Sequence, residues 1–365
     1  MDHIENNDDY AGLVVNKGIS QPPFVNPNLA SSRKKRAKYT ANDFVEGIIK
    51  GNRTILSQAV TLVESTKPEH YAMAQELIEK CLPYATKSVR IGITGVPGAG
   101  KSTFIEALGM HVVNQQKKLA VLAIDPSSQR TKGSILGDKT RMEELSVHEN
   151  AFIRPSPSAG SLGGVARKTR ESIVLCEAAG FDTVFVETVG VGQSEIAVHS
   201  MVDFFLLLQI TGAGDELQGI KRGIMEMADG IVINKADGAN VDKAEMAKTQ
   251  YKTALSLFPM HESGWKPKVL TCSAFYKTNI DVVWNMLLDY VEFTQARGYF
   301  ETKRHQQASY WMYESINQEL KSNFYNYPDI NMLLKEMETK VIAGEISSFI
   351  AAKRLLDTYA SLRKQ

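Results

Sequence analysis

From Val89 onward, short apolar runs alternate with stretches of helical period. The runs 89–94, 119–124, 151–154, 183–187, 204–210, 230–234 and 268–272 are dense in Val, Ile, Leu and Phe, which predicts strands buried on both faces. The stretches between them repeat their apolar residues three and four apart and predict helices. Strands separated by helices build an α/β fold, a mainly parallel sheet with helices on both faces. Groups that act on ligands then belong on loops at the carboxyl ends of the strands.

The pattern differs on either side of this block. Thr40 or Asn42 predicts the N-cap of a helix carrying Phe44, Val45, Ile48 and Ile49. Asn52 to Ser65 predicts a second helix, and Pro68 opens a third that Pro83 ends. Beyond Asp281 a helix carries Val282, Val283, Trp284, Leu287 and Leu288, and the chain from about 292 reads as helical with an interruption at Pro328. Leu333, Leu334, Met337, Val341, Ile342 and Ile346 form an apolar face there, continued by Phe349, Ile350, Leu355 and Leu356. Such a face needs cover from its own core or from a second subunit. Residues 1–38 show poor periodicity and contain Pro22, Pro23 and Pro27, which predicts a disordered or loosely packed tail. The expected organisation is a tail (1–38), a helical extension (39–87), a nucleotide domain (88–291) and a helical arm (292–365).

The phosphate chemistry lies in the first apolar run. Val89 to Thr103 reads VRIGITGVPGAGKST, a strand, a glycine-rich loop and a helix start. Gly95, Val96, Pro97, Gly98, Ala99, Gly100, Lys101 and Ser102 match G-x-x-x-x-G-K-[ST], and Thr103 follows. Backbone N–H groups of such a loop surround phosphate, and the helix turns its positive end toward the same anion. Lys101 would reach the β- and γ-phosphates and Ser102 would ligate Mg²⁺.

Four later runs end in candidate partners. Asn234-Lys235-Ala236-Asp237 follows an apolar strand, and a carboxylate at Asp237 suits guanine, which offers N1–H and a 2-amino group together. Asn234 either accepts from the base or ties the base loop to the phosphate loop. Ser273 and Ala274 are placed to support the base through backbone N–H groups. Glu187, ending the strand from Thr183, can reach Mg²⁺ directly or through water, and Gly190 lets a backbone N–H approach the γ-phosphate. Asp125, before Pro126, and Asp138 are further candidates for the metal or its waters. The segment 158–170 is glycine-rich and then basic, and is expected to form a helix start with a solvated basic face. The loop from Thr211 to Lys221, with Gly212, Asp215 and Glu216, is either a third nucleotide-sensing loop or a capped turn.

Composition narrows the classes. The chain has 365 residues, 43% of them hydrophobic, and Lys plus Arg (42) nearly balances Asp plus Glu (41). That balance carries no footprint for nucleic acid. Cys81, Cys176 and Cys272 stand far apart, as small core residues do in a reducing compartment. No run approaches the roughly 20 apolar residues of a membrane span. The opening MDHIENNDDY is acidic and matches neither a secretory leader nor an Arg-rich presequence, so a cytoplasmic protein is expected. H-E-x-x-H, G-x-S-x-G and the cobalamin-binding D-x-H-x-x-G are all missing.

Several segments are more specific than a phosphate loop: GITGVPGAGKSTFIEALG, AIDPSS, GSILGDKTRM, SLGGVA, ETVGVGQSE, GAGDELQGIK and NKADG. With Leu62 to Ser65, they resemble the MeaB/ArgK-type GTPases, G-protein chaperones of adenosylcobalamin-dependent methylmalonyl-CoA mutase that include the methylmalonic aciduria type A proteins. The resemblance runs from about residue 40 to the C-terminus. It implies a P-loop NTPase G domain, GTP/GDP and Mg²⁺ as ligands, a homodimer joined through the C-terminal arm, and a mutase partner whose cofactor delivery and exchange are gated by GTP. It places Asp125 and Asp138 in the family's first switch and Gly212 to Lys221 in an additional one. Many small GTPases set a water-orienting Gln after the switch glycine. Here Val191 holds that position and Gln193 is the nearest candidate, so slow hydrolysis accelerated by the partner is expected. Another client, such as isobutyryl-CoA mutase, and a metallochaperone GTPase are the neighbouring readings.

Overall fold

The computed structural model describes residues 39–85, 88–125, 142–157, 162–188, 194–212 and 222–363. Three helices come first: α1 (Ala41–Ile49), α2 (Arg53–Glu64) and α3 (Pro68–Cys81). Asn52 caps α2, its side chain accepting from the N–H groups of Thr54 and Ile55. Thr40 stands just ahead of α1, and Pro68 occupies the first turn of α3, where no N–H is needed.

All seven expected strands form. They are β1 (Val89–Gly95), β2 (Leu119–Asp125), β3 (Ala151–Pro157), β4 (Thr183–Thr188), β5 (Phe204–Ile210), β6 (Gly230–Asn234) and β7 (Lys268–Thr271). Among the described residues they make one parallel sheet in the order β3-β2-β4-β1-β5-β6-β7. The strands reach one to three residues further than the apolar runs in several cases, because ladder bonds continue past the last apolar side chain: Asp125 still pairs with Pro157. Between the strands run α4 (Lys101–Asn114), α5 (Glu143–Val147), α6 (Leu162–Ala178), α7 (Ser194–His199), α8 (Arg222–Met227) and α9 (Val241–Leu255), and α10 (Ile280–Ala296) follows the sheet.

Alternation along each strand feeds two cores. Leu206 and Leu208 of β5 join Phe104, Leu108, Trp284 and Tyr290 from α4 and α10, whereas Leu207 faces Ile231, Ile233 and Tyr251 beneath α9. Burial of one such side chain contributes about 2–3 kcal/mol. Cys81, Cys176 and Cys272 are free and buried, as their isolation in the chain suggested. Burial pushes the Cys81 thiol up to about 11 and the Cys272 thiol up to about 12, so both remain protonated.

The basic face of α6 departs from expectation. It is only partly solvated, because α2 and α3 cover much of it. Arg167 donates to Glu171 at 3.0 Å and stands over the Tyr71 ring, and Lys168 donates to the Glu64 carbonyl at 2.6 Å. Burial with Arg90 nearby lowers the Arg170 guanidinium to about 10.

At the C-terminal end lie α11 (Tyr299–Tyr325), α12 (Pro328–Ile342) and α13 (Ser348–Leu362). Ile330, Met337, Ala351 and Leu355 form a small core there, with Leu333, Leu334, Val341 and Ile346 against it. The expected apolar face is only partly covered. Ile342 is 81% exposed and Phe349 85%, and Ile350 and Leu356 are also exposed. Two helices of 15 residues, about four turns each, enclose one seam between them and leave their outer stripes open.

Candidate nucleotide-binding site

At the centre of the sheet, β1 has β4 on one side and β5 on the other. Its successor β2 lies beyond β4, so the chain reverses direction across the sheet at β1, which opens a crevice at the carboxyl ends there. The phosphate loop occupies that position. Gly95 must be glycine: a Cβ there would stand 2.2 Å from the Leu208 carbonyl oxygen. Gly98 and Gly100 take positive φ angles of 79° and 82°, which a side chain disfavours. A Cβ on Gly100 would also meet the Asn234 amide nitrogen at 3.0 Å.

The loop is held by its own groups. Ala99 N–H donates to the Val96 carbonyl at 3.1 Å, and Phe104 N–H to that of Gly100 at 2.9 Å, opening α4. Lys101 Nζ donates to the carbonyls of Gly95 (2.9 Å) and Val96 (3.3 Å), spanning the hollow of the loop. Burial lowers the Lys101 pKa, while the fields of Glu187 and Glu195 oppose that shift and favour the ammonium. Pro97 and Gly98 are exposed, Val96 and Ser102 half-buried, and Thr103 faces solvent at the start of α4. Glu187 is buried near the end of β4, in register with Ile93 of β1 and Ala123 of β2. The next residue, Thr188, donates its hydroxyl to that of Thr94 at 2.8 Å and joins the two strand ends.

The base corner is built from β6 and β7. Asn234 Nδ2 donates to the Ala99 carbonyl at 2.8 Å, and its Oδ1 accepts from Ala274 N–H at 3.0 Å and the Cys272 thiol at 3.5 Å. Of the two roles open to Asn234, tying the loops together is the one it performs here. Lys235 has φ of 58°, which carries its stem to 3.8 Å from a Cβ position on Gly100. Asp237 accepts from the Ser273 hydroxyl at 2.6 Å, a bond that engages one of its two carboxylate oxygens. The structure gives the N–H groups of Ser273 and Ala274 partners within the protein, the Thr278 carbonyl and Asn234, and Ser273 supports the corner through its hydroxyl.

Lys101, Ser102, Glu187, Asn234, Lys235, Asp237, Ser273 and Ala274 thus converge on one edge from four segments. Asp125 ends β2 on that edge, with its side chain outside the described residues. Asp138, Gly190, Gln193, Asp215, Glu216 and Lys221 also lie outside them; Gly212 is exposed with φ of 83°. Reading the sequence missed Glu195. It is buried in α7 and acts on Lys101, and its signal was the final acid of ETVGVGQSE. Cys272 was missed as a partner of Asn234, since a lone cysteine reads as core. Chemically the edge offers backbone donors and an ammonium for phosphates, hard oxygen donors at Ser102 and Glu187 for a Mg²⁺-type cation, and a carboxylate for a base bearing paired N–H groups.

Comparison with known proteins agrees with this arrangement. Residues 56–329 match the family described as methylmalonyl Co-A mutase-associated GTPase MeaB. A putative GTPase of Caulobacter vibrioides is 50% identical over 312 residues, covering 86% of this chain and 95% of that protein. The mouse methylmalonic aciduria type A homolog, mitochondrial, is 45% identical over 325 residues, covering 86% of this chain and 78% of that protein. A crystal structure titled LAO/AO transport system kinase superposes with a TM-score of 0.71 at 38% identity, over 90% of this chain and 100% of that one.

Proposed function

This chain belongs to the MeaB family of methylmalonyl-CoA mutase-associated GTPases, and on that premise we propose that it is a cytoplasmic, homodimeric guanine-nucleotide switch that gates adenosylcobalamin delivery to methylmalonyl-CoA mutase and protects that enzyme. The observation that carries the nucleotide half is the shared corner of base loop and phosphate loop. Asn234 bonds Ala99 of the phosphate loop while Ser273 holds Asp237 where a guanine edge would lie. Binding guanine and binding phosphate are thereby one structural event.

In this reading Lys101 exchanges its loop carbonyls for phosphate oxygens, and Ser102 Oγ would hold Mg²⁺ with Glu187 in support, a cation that when bound would supply charge neutralisation at the phosphates. Asp125 and Asp138 serve the metal or its waters, Gly190 senses the γ-phosphate and Gln193 is the candidate for orienting water. Gly212, Asp215, Glu216 and Lys221 belong to the loop that speaks to the mutase. Support for a second copy comes from the C-terminal helices, where Met312, Tyr313, Ile316 and Leu320 of α11 are exposed along one stripe, as is Phe349 of α13.

The test is co-purification from the source cell with the protein held in GDP or a non-hydrolysable GTP analogue. Recovery of an acyl-CoA mutase in a nucleotide-dependent manner is expected, and mass spectrometry distinguishes methylmalonyl- from isobutyryl-CoA mutase. Absence of any such mutase under either nucleotide overturns the chaperone reading. The guanine assignment has its own test. Asp237→Asn should invert preference from GTP to XTP, because an amide offers a donor where xanthine carries an oxygen; unchanged preference would remove Asp237 from base recognition.

A further inference from the structure

Four side chains on one face of α11 hydrogen-bond a single turn, the one joining α7 to β5, three of them at its backbone carbonyls and Arg304 at its Asp203 carboxylate. Lys303, Arg304, Gln307 and Trp311 fall at helical spacing. Trp311 Nε1 donates to the Ser200 carbonyl at 3.0 Å, and Gln307 Nε2 to that of Val202 at 2.8 Å. Lys303 Nζ donates to the Asp203 carbonyl at 2.6 Å, and Arg304 grips the Asp203 carboxylate with two bonds of 2.8 and 2.7 Å. The C-terminal helices therefore hold the carbonyl end of α7 directly.

The opposite side of α7 rests on the strand that ends in the phosphate loop. Gly92 of β1 makes room for it: a Cβ there would meet Val198 at 2.9 Å and Val202 at 3.0 Å. The His199 ring meets Phe205 of β5 edge-on, with centroids 5.5 Å apart. At its amino end α7 carries the buried Glu195, whose field reaches Lys101 and favours the ammonium. So α7, six residues long, is seated between β1 and α11 with one end at each site.

The seat is not fully packed. A cavity of about 460 Å³ opens beside it, lined by His199, Ser200, Glu226, Met260, Lys303 and Gln307 among others. Gln307 Oε1 and His199 Nε2 are buried there without hydrogen-bond partners among the described residues. Unspent bonding capacity next to free volume lets the turn exchange one set of partners for another, which is how a packed element acquires two discrete positions.

We propose that Gln307 and Trp311 are positioning residues for GTP hydrolysis: by holding the turn from Ser200 to Asp203 they set the seat of α7 on β1, and hence the placement of its acidic end against the phosphate loop. The inference rests on the GTPase reading and extends it, since the C-terminal helices then both set and sense the nucleotide state. They would do so without touching nucleotide.

The full-length protein carries the test. Trp311→Phe keeps an aromatic ring and removes the donor, and Gln307→Met keeps the length and removes the amide. The double variant is expected to lower kcat per titrated active site about tenfold, with affinity for a fluorescent GDP analogue held within about twofold. A second readout is ¹⁹F NMR of protein labelled with 5-fluorotryptophan, which has three signals to assign because the chain has three tryptophans. The Trp311 signal, identified by its loss in Trp311→Phe, is expected to differ between GDP and a non-hydrolysable GTP analogue. Unchanged kcat per active site, or a Trp311 signal identical in the two states, overturns the inference; a lower melting temperature alone does not sustain it. A wild-type protein that binds GTP but never hydrolyses it overturns the GTPase reading as well, whereas brisk wild-type hydrolysis with an unaffected double variant overturns this inference only.

Discussion

The two edges of the one sheet are built on opposite principles. At the carboxyl edge, polar side chains mostly bond backbone: Lys101 spans the carbonyls of Gly95 and Val96, and Asn234 bonds Ala99 and Ala274. At the amino edge, beside the α11 donors that bond backbone carbonyls, buried charged side chains also pair with one another. Arg90 pairs with Glu177 at 2.8 and 3.0 Å, the Ser88 hydroxyl donates to the same carboxylate, and Arg304 closes on Asp203, which also accepts from Arg90 N–H at 2.8 Å. Lys303 approaches Asp229, whose carboxylate accepts from Phe205 N–H. Loop carbonyls can be given up for a phosphate; a buried charge cannot be given up without leaving its partner unpaired. One edge is made to receive a ligand, and the other to fix helices to strands.

That contrast breaks most visibly at Arg304. Arg304→Met should leave the Asp203 carboxylate buried without its counter-charge, at a cost of about 3–5 kcal/mol in chemical denaturation, while the folded fraction binds GDP as before. A variant of undiminished stability would show that the amino edge does not fix the fold. Lys101→Ala should do the reverse. GTP affinity is expected to fall roughly 100-fold, about 3 kcal/mol by titration calorimetry, with the melting temperature unchanged or raised because a buried cation is gone.

His199 sharpens the comparison between the edges. Burial first, then Lys303 and His261, lower its pKa from 6.5 to about 4, against an opposing pull from Asp229. The unfolded chain takes up a proton that the folded chain refuses, so the stability His199 contributes is complete above pH 6.5 and is lost as pH falls toward 4. The difference amounts to up to about 3 kcal/mol. Urea melts across that window should therefore be flatter for His199→Phe than for wild type. The smallest effect belongs to Ser273→Ala, which frees Asp237 to rotate. GDP should bind about fivefold more weakly, about 1 kcal/mol, with adenine nucleotides unaffected.

Much of the ligand edge was legible in the chain because its chemistry is written in contiguous residues. A glycine-rich loop works through its own backbone, so Gly95 to Ser102 announces itself, and Asn234 to Asp237 likewise. The amino edge was silent. Arg90, Glu177, Asp203 and Arg304 are far apart and individually ordinary, and no periodicity marks a buried ion network. The basic face of α6 misled for the same reason: whether Arg167 and Lys168 meet water depends on α2 and α3, about a hundred residues earlier. Ile342 and Phe349 read as part of a face needing cover from its own core or a second subunit and stand exposed in the chain, since a period of 3.6 reports which residues share a face and not what covers it.

The sequence by itself determined the strands, their parallel arrangement and the loops that address phosphate and base, because alternation, helical period and local backbone chemistry act over a few residues. Tertiary structure alone decided that Asn234 locks the two loops together, that the Ser273 hydroxyl bonds Asp237, and that the field of Glu195 at one end of α7 reaches Lys101 while α11 holds the other end. Those are distances between residues up to about a hundred positions apart or more, and only the packed sheet sets them.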